Sequence, residues 1–211
     1  MDIKIDNLLI ENITESSDSE VFSKEILFKE GSKILLKGAS GKGKTTFISV
    51  LYGLVKKFSG SIIYKNRSIK TFTKKHWVTL RKNKISIVFQ DLKLFSDLTG
   101  YENIQIKNRL TNFRTKEKII TIFGELGIGR LADKKITDMS FGEKQRFALA
   151  RSFMQPFSWL IMDEPFSHLD NKNREKACGL IERECMERKA GIIIAEHDDE
   201  NLFDYDMKMN L

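Results

Sequence analysis

The residues able to do chemistry begin with Gly38-Ala39-Ser40-Gly41-Lys42-Gly43-Lys44-Thr45, which fits the phosphate-loop pattern G-x-x-x-x-G-K-[ST]. Glycines let the backbone close around an anion, and successive N–H groups then point inward at a helix start. Lys44 is placed to reach β- and γ-phosphates and the Thr45 hydroxyl to face Mg²⁺, with Ser40, Gly41, Lys42, Gly43 and Thr46 completing the cradle. Lys33–Lys37 reads as the strand feeding this loop, and Thr46–Tyr52 as the helix leaving it. That context argues against a ligand-free Gly- and Lys-rich turn. A second element of such chemistry is a carboxylate for the metal. Asp163 ends the apolar run Trp159–Met162 and fits that role, while Glu164 beside it can polarise an attacking water.

These groups need a scaffold of strands and helices. Ile3, Ile5 and Leu8 alternate as an opening strand, Thr14–Ser19 is a polar loop, and Val21–Phe28 returns to an extended pattern. Ser59-Gly60-Ser61 reads as a turn, and Ile62–Ile69 as a hairpin around Lys65-Asn66-Arg67. Ile85–Phe89 is a strand ending at Gln90. From Asp91 the apolar spacing becomes helical, so a helical subdomain is expected over roughly residues 91–155, inserted in a single domain spanning 1–211. Ser140–Met154 and Asn171–Arg188 read as helices. Trp159–Met162 and Gly191–Ala195 are apolar runs suited to central strands, and Asp206–Leu211 is a final strand. Strands alternating with helices indicate an α/β fold.

Bulk properties bound the answer without deciding it. A chain of 211 residues suits one domain. Its net charge of +7 permits nucleic acid or an anionic membrane as neighbour but shows neither, and clusters such as Lys74-Lys75 read as solvated faces. Cys178 and Cys185 match neither a disulfide framework nor a metal motif, which points to a reducing compartment. The N-terminus is not a secretory signal, and no stretch approaches a membrane span.

With these residues in order, the chain resembles the nucleotide-binding subunit of an ATP-binding cassette (ABC) transporter over about residues 3–210. Met139-Ser140-Phe141-Gly142-Glu143-Lys144-Gln145-Arg146 is similar to the family's signature segment, and Ser167-His168-Leu169-Asp170 to its D-loop. The resemblance implies a P-loop NTPase of ABC type, with a mixed sheet core, an antiparallel N-terminal β subdomain and an inserted helical subdomain. It implies ATP and Mg²⁺ as cofactors, with Thr45, Gln90 and Asp163 around the metal. Glu164, His197, Gln90 and Lys44 would act in hydrolysis, while Ser140 and Gly142 would contact the γ-phosphate held by a second, identical cassette. The implied partner is an integral-membrane permease at the cytoplasmic face of the inner or plasma membrane, and no nucleic acid is expected.

Leu94–Ile104 resembles the lipoprotein-release and macrolide-export branch, which implies export or extraction of a lipoprotein, peptide or hydrophobic substrate. Amino-acid or other small-molecule importers share much of that pattern. A soluble ABC ATPase working on nucleic acid or ribosomes is a further alternative. The sequence departs from the family at Phe141 (where many relatives carry glycine), at Phe166, and in lacking the aromatic that stacks on adenine before the phosphate-loop strand, where Phe22 is the candidate.

Overall fold

A computed structural model describes residues 1–10, 19–197 and 202–211. Residues 14–18 of the expected polar loop lie outside them. Two sheets form the frame. The first is antiparallel, with β1 (Ile3–Ile10) between β2 (Glu25–Phe28) and β4 (Phe58–Tyr64), and a short β5 (Arg67–Ser68) outside β4. Its strands alternate: Ile3, Ile5, Leu8 and Ile10 are buried, and the residues between them face outward. The second sheet has five parallel strands in the order β6 (Ile85–Val88), β7 (Trp159–Asp163), β8 (Gly191–Glu196), β3 (Lys33–Lys37), β9 (Met207–Asn210). β7 and β8 are buried at every position, as strands covered on both faces must be.

Six helices complete the described chain: α1 (Lys44–Leu51), α2 (Lys74–Asn83), α3 (Gly100–Asn108), α4 (Lys116–Glu125), α5 (Phe141–Ser152) and α6 (Asn171–Arg188). Thr73, Thr99, Thr115, Ser140 and Asp170 each cap a helix start, accepting a first-turn N–H. One apolar core joins β1, β2 and β4 to α1 and the near face of the parallel sheet. A second packs α3–α6 against the other face, around Phe123, Phe147, Phe153 and Phe166.

The expected turn at Ser59-Gly60-Ser61 is instead strand. β1 carries a bulge between Asp6 and Leu9, with Asn7 at φ 48°, and Gly60 sits opposite it at φ 74°. A Cβ there would lie 2.1 Å from the Asn7 carbonyl oxygen. The glycine serves backbone approach across the bulge, not chain reversal.

Candidate functional site

The parallel sheet assembles the site by register alone. Val88 lies beside Met162, Asp163 beside Ala195, and Glu196 beside Lys37. All four strands run the same way, so the residues leaving them emerge along one edge: Gln90, Asp163-Glu164, His197 and Gly38. These groups span more than 150 positions in sequence, yet adjacent strands place them side by side.

The phosphate loop turns through glycines at φ 83° (Gly41) and 96° (Gly43), the second immediately preceding α1. The left-handed geometry is one that glycine adopts at little cost. No acidic residue occupies the first turn of α1, so its free N–H groups face the loop without a competing carboxylate. Ser40, Gly41, Gly43, Lys44, Thr45, Thr46, Gln90 and Glu164 line a cavity of about 230 Å³. Lys42 lies on the exposed side of the loop, its N–H donating to the Ala39 carbonyl at 3.3 Å.

Lys44 is buried, and its ammonium donates to the carbonyls of Gly38 (2.5 Å) and Ala39 (3.3 Å). It also lies 3.3 Å from His197 Nδ1 and 3.8 Å from Glu164 Oε1. His197 Nε2 stands 2.8 Å from that same Glu164 oxygen, and Gln90 Nε2 donates to the other, Oε2, at 3.2 Å. The Glu164 carboxylate is thus gripped from two strand ends and the first residue of α1, at the mouth of the cavity. Its backbone is strained, with φ 48°, and is held by its N–H donating to the Ala195 carbonyl at 2.9 Å.

Asp163 is buried with one carboxylate oxygen, Oδ1, lacking any hydrogen-bond partner. Burial pushes its carboxyl above the usual range, opposed by a hydrogen bond from the Thr45 side chain; the Glu164 charge adds to the rise and Lys44 offsets part of it. An orphaned buried carboxylate beside a hydroxyl fits a divalent cation, which would restore the charged form. Among the described residues no group of three or more His, Cys, Asp or Glu could hold a metal alone. Thr45 and Asp163 offer two oxygen donors beside the phosphate loop, which suits a hard divalent ion whose other ligands are phosphate and water.

Ser140 and Gly142 stand apart from this cavity, at the start of α5. The Ser140 hydroxyl accepts the Glu143 N–H at 3.3 Å, and the Glu143 carboxylate accepts the Ser140 N–H at 2.8 Å, a reciprocal cap. Gly142 abuts the Ser167–Asp170 segment, where a Cβ would meet the His168 carbonyl oxygen at 2.7 Å. Phe141, at the departure from the family pattern, is exposed and its ring lies 4.1 Å from that of His168. Phe166, by contrast, is buried in the core against Phe203. Phe22 is also buried, within the N-terminal core, so its ring cannot stack on a base.

Two residues have no individual role in the sequence reading. Gln145, quoted there only within the signature-like segment, is buried. Its Nε2 donates to the Glu164 carbonyl at 3.1 Å, and its Oε1 accepts the His168 N–H at 3.3 Å. Arg151, two turns further along α5, donates to the carbonyls of Leu92 (2.7 Å) and Lys93 (2.6 Å), both in left-handed conformation just after Gln90. One helix therefore fixes both the Glu164 turn and the segment following Gln90. Only the spacing of Gln145, five residues after the cap and on the apolar side of α5, hints at burial.

Comparison with known proteins places the chain in a family. The family model described as ABC transporter matches residues 24–167. The bacitracin export ATP-binding protein BceA of Halalkalibacterium halodurans is 31% identical over 196 residues, covering 89% of this chain and 78% of the relative. The lipoprotein-releasing system ATP-binding protein LolD of Treponema denticola is 31% identical over 202 residues, covering 92% and 89%. Among solved structures, the dimeric bacterial ABC transporter cassette MJ0796 matches with a TM-score of 0.78 at 25% identity, over 93% of this chain and 88% of the other.

Proposed function

The chain belongs to the ABC transporter family, as an ATP-hydrolysing subunit that works with a membrane permease and a second cassette, and from that premise we propose how its residues divide the work. The single observation that carries the proposal is the Glu164 carboxylate, held by Gln90, His197 and Lys44 at the lip of the phosphate-loop cavity.

ATP binds with its phosphates in the Gly38–Thr46 cradle, displacing the Lys44 ammonium from the Gly38 and Ala39 carbonyls to the β/γ-phosphates. Thr45 and Asp163, with Gln90 near them, would hold Mg²⁺, which would supply charge neutralisation at the phosphates. Glu164 accepts a proton from water as the water oxygen bonds to the γ-phosphorus. The bond from that phosphorus to the bridging oxygen breaks, and its electron pair leaves with ADP. His197 donates to the γ-phosphate, and Lys44 and the backbone N–H groups stabilise the charge that develops there. The exposed start of α5, with Ser140 and Gly142, closes over the γ-phosphate of a second copy. ATP is then sandwiched between two cassettes, a ligand-biased two-state element that moves the permease.

The substrate we propose is a lipoprotein, peptide or other hydrophobic molecule, exported or extracted, which the Leu94–Ile104 segment and the likeness to BceA and LolD both support. Family membership supports a place on the cytoplasmic face of the inner or plasma membrane, through the permease. Among the described residues no helix is long and apolar enough to cross a membrane.

Glu164→Gln tests the division of roles. The variant keeps size and hydrogen bonding but removes the base. ATP binding should persist, turnover should fall by about a hundredfold or more, and light scattering should detect an ATP-stabilised dimer. Hydrolysis near the wild-type rate would refute the assignment. Lys44→Ala should instead weaken nucleotide binding itself.

A further inference from the structure

The net charge of +7 is unevenly spread. Between Gly31 and Gln90 there are 14 lysines and arginines and no aspartate or glutamate; the remainder carries 22 basic against 29 acidic residues. Part of that positive charge is engaged. Lys33 pairs with Glu182, Lys44 belongs to the phosphate site, and Lys65 and Lys84 share a cleft with Asp2 and Glu30. Lys56, Lys70, Lys74, Lys75 and Lys82 are all exposed, and none forms an ion pair among the described residues.

These lysines gather on one lobe. Arg81, on the inner face of α2, donates to the carbonyls of Tyr52 and Gly53 at 3.0 Å each, and its guanidinium stacks on the Tyr52 and Trp77 rings. It thereby pins α2 to the turn after α1 and brings the segment at Leu54 and Lys56 beside the helix. The outer face of α2 shows Lys74, Lys75, Val78, Thr79 and Lys82, with Val78 63% exposed, while Leu54 is 51% exposed. Between these elements a cleft of about 220 Å³ is floored by Phe58, Phe72 and Trp77 and flanked by Lys56 and Lys70.

We propose that this lobe, α2 with the Leu54–Lys56 segment and the Lys70 turn, docks on an anionic phospholipid surface. Lysines interspersed with protruding aliphatic side chains suit a headgroup layer: the ammonium groups meet lipid phosphates while Val78 and Leu54 enter the apolar boundary. A single-stranded nucleic-acid face would instead offer exposed ring faces for stacking, and a duplex phosphate face would have no use for the protruding Val78 and Leu54. Here the Phe72 and Trp77 rings pack edge-on against each other at 5.2 Å, within the lobe. The lobe also continues into the Gln90 region, since Tyr52 packs on Phe89 at 5.6 Å and both line a groove with Phe95 and Ile106. The inference rests on the transporter reading only in expecting a bilayer nearby. Two independent contacts with the membrane system would then orient the cassette, one through its permease and one through lipid.

The test uses the full chain without a permease, in flotation assays with vesicles of phosphatidylcholine alone or mixed with phosphatidylglycerol. Binding should require phosphatidylglycerol and weaken with salt. Substituting Lys74→Gln, Lys75→Gln and Lys82→Gln together should reduce partitioning about a hundredfold, and Val78→Ser should reduce it severalfold. Both variants should retain wild-type ATPase rates in vesicle-free buffer. Equal binding to neutral vesicles, or unchanged binding by the triple variant, would overturn the proposal. Binding of duplex DNA or RNA through the same lysines without vesicle binding would assign the face to nucleic acid instead. Lipid binding is read separately from hydrolysis, so its failure leaves the ATPase roles standing, and the failure of Glu164→Gln leaves the lipid result standing.

Discussion

Gln145→Leu is the most informative perturbation, because it acts on Glu164 without touching nucleotide or the phosphate loop. Gln145 is 2% exposed, and leucine has nearly its volume, so the substitution leaves little void. What it removes are one of two donors to the Glu164 carbonyl, which keeps the Ser167 hydroxyl at 3.3 Å, and the acceptor of the His168 N–H. The stranded N–H costs about 1–3 kcal/mol and the lost bond to Glu164 about 1 kcal/mol more, so a loss of about 2–4 kcal/mol in unfolding free energy is expected. Glu164 sits at φ 48°, a conformation worth about 1–3 kcal/mol of strain. The lost bond is therefore comparable to the strain it restrains, and the turn should relax.

A displacement of about 1 Å at the base lowers kcat about a hundredfold. Lys44 and the loop keep their contacts, so nucleotide Kd should move by less than about threefold, well within the 1.4 kcal/mol that a tenfold change represents. Gln145→Glu should fall between the two, since it can still accept from His168 N–H but as a carboxylate has no donor for the Glu164 carbonyl. The measurements are urea denaturation, steady-state kinetics and calorimetric nucleotide titration. A stability loss of the expected size with kcat near wild type would refute the reasoning and reduce Gln145 to a packing residue.

Two further outcomes concern charges away from the phosphates. Glu184 is fully buried on α6 and pairs with Arg114, Lys118 (3.4 Å) and Arg188 (2.7 Å). Glu184→Gln strands these cations, so thermal denaturation should show a loss of about 3–5 kcal/mol, with ATP affinity unchanged. Burial pushes the Lys107 ammonium, in the Phe89–Phe95 groove, down to about 8, and the nearby Arg151 guanidinium adds to the effect. A lysine lowered by folding binds fewer protons in the native than in the unfolded state between pH 8 and its ordinary value of 10.5, so stability from this group rises with pH across that window. Lys107→Met should stabilise the protein by about 1–2 kcal/mol at pH 7 and flatten the slope above pH 8. An unchanged slope in pH-resolved denaturation would show that the groove does not perturb this group.

The sequence alone determined the pieces whose meaning is local. The Gly38–Thr45 spacing sets a phosphate loop between the Lys33–Lys37 strand and the helix after it. The apolar runs before Gln90, Asp163 and His197 suit buried strands. Each depends on backbone freedom or hydrophobic periodicity over a few residues, which a sequence carries directly. Local signals misled at Gly60, where a turn-forming triplet lies in a strand because the bulge at Asn7 needs room across the sheet.

Tertiary structure decided which pieces meet. The order β6-β7-β8-β3 places Gln90, Glu164, His197 and Lys44 within reach of one another, and no local pattern specifies that order, since it follows from packing two cores on opposite faces of one sheet. The same holds for Gln145 and Arg151, whose partners lie 19 and 58–59 residues away, and for the lysine lobe, which Arg81 gathers by reaching across to the turn after α1. Burial and neighbour identity are properties of non-local contacts, and only the folded chain brings them into being.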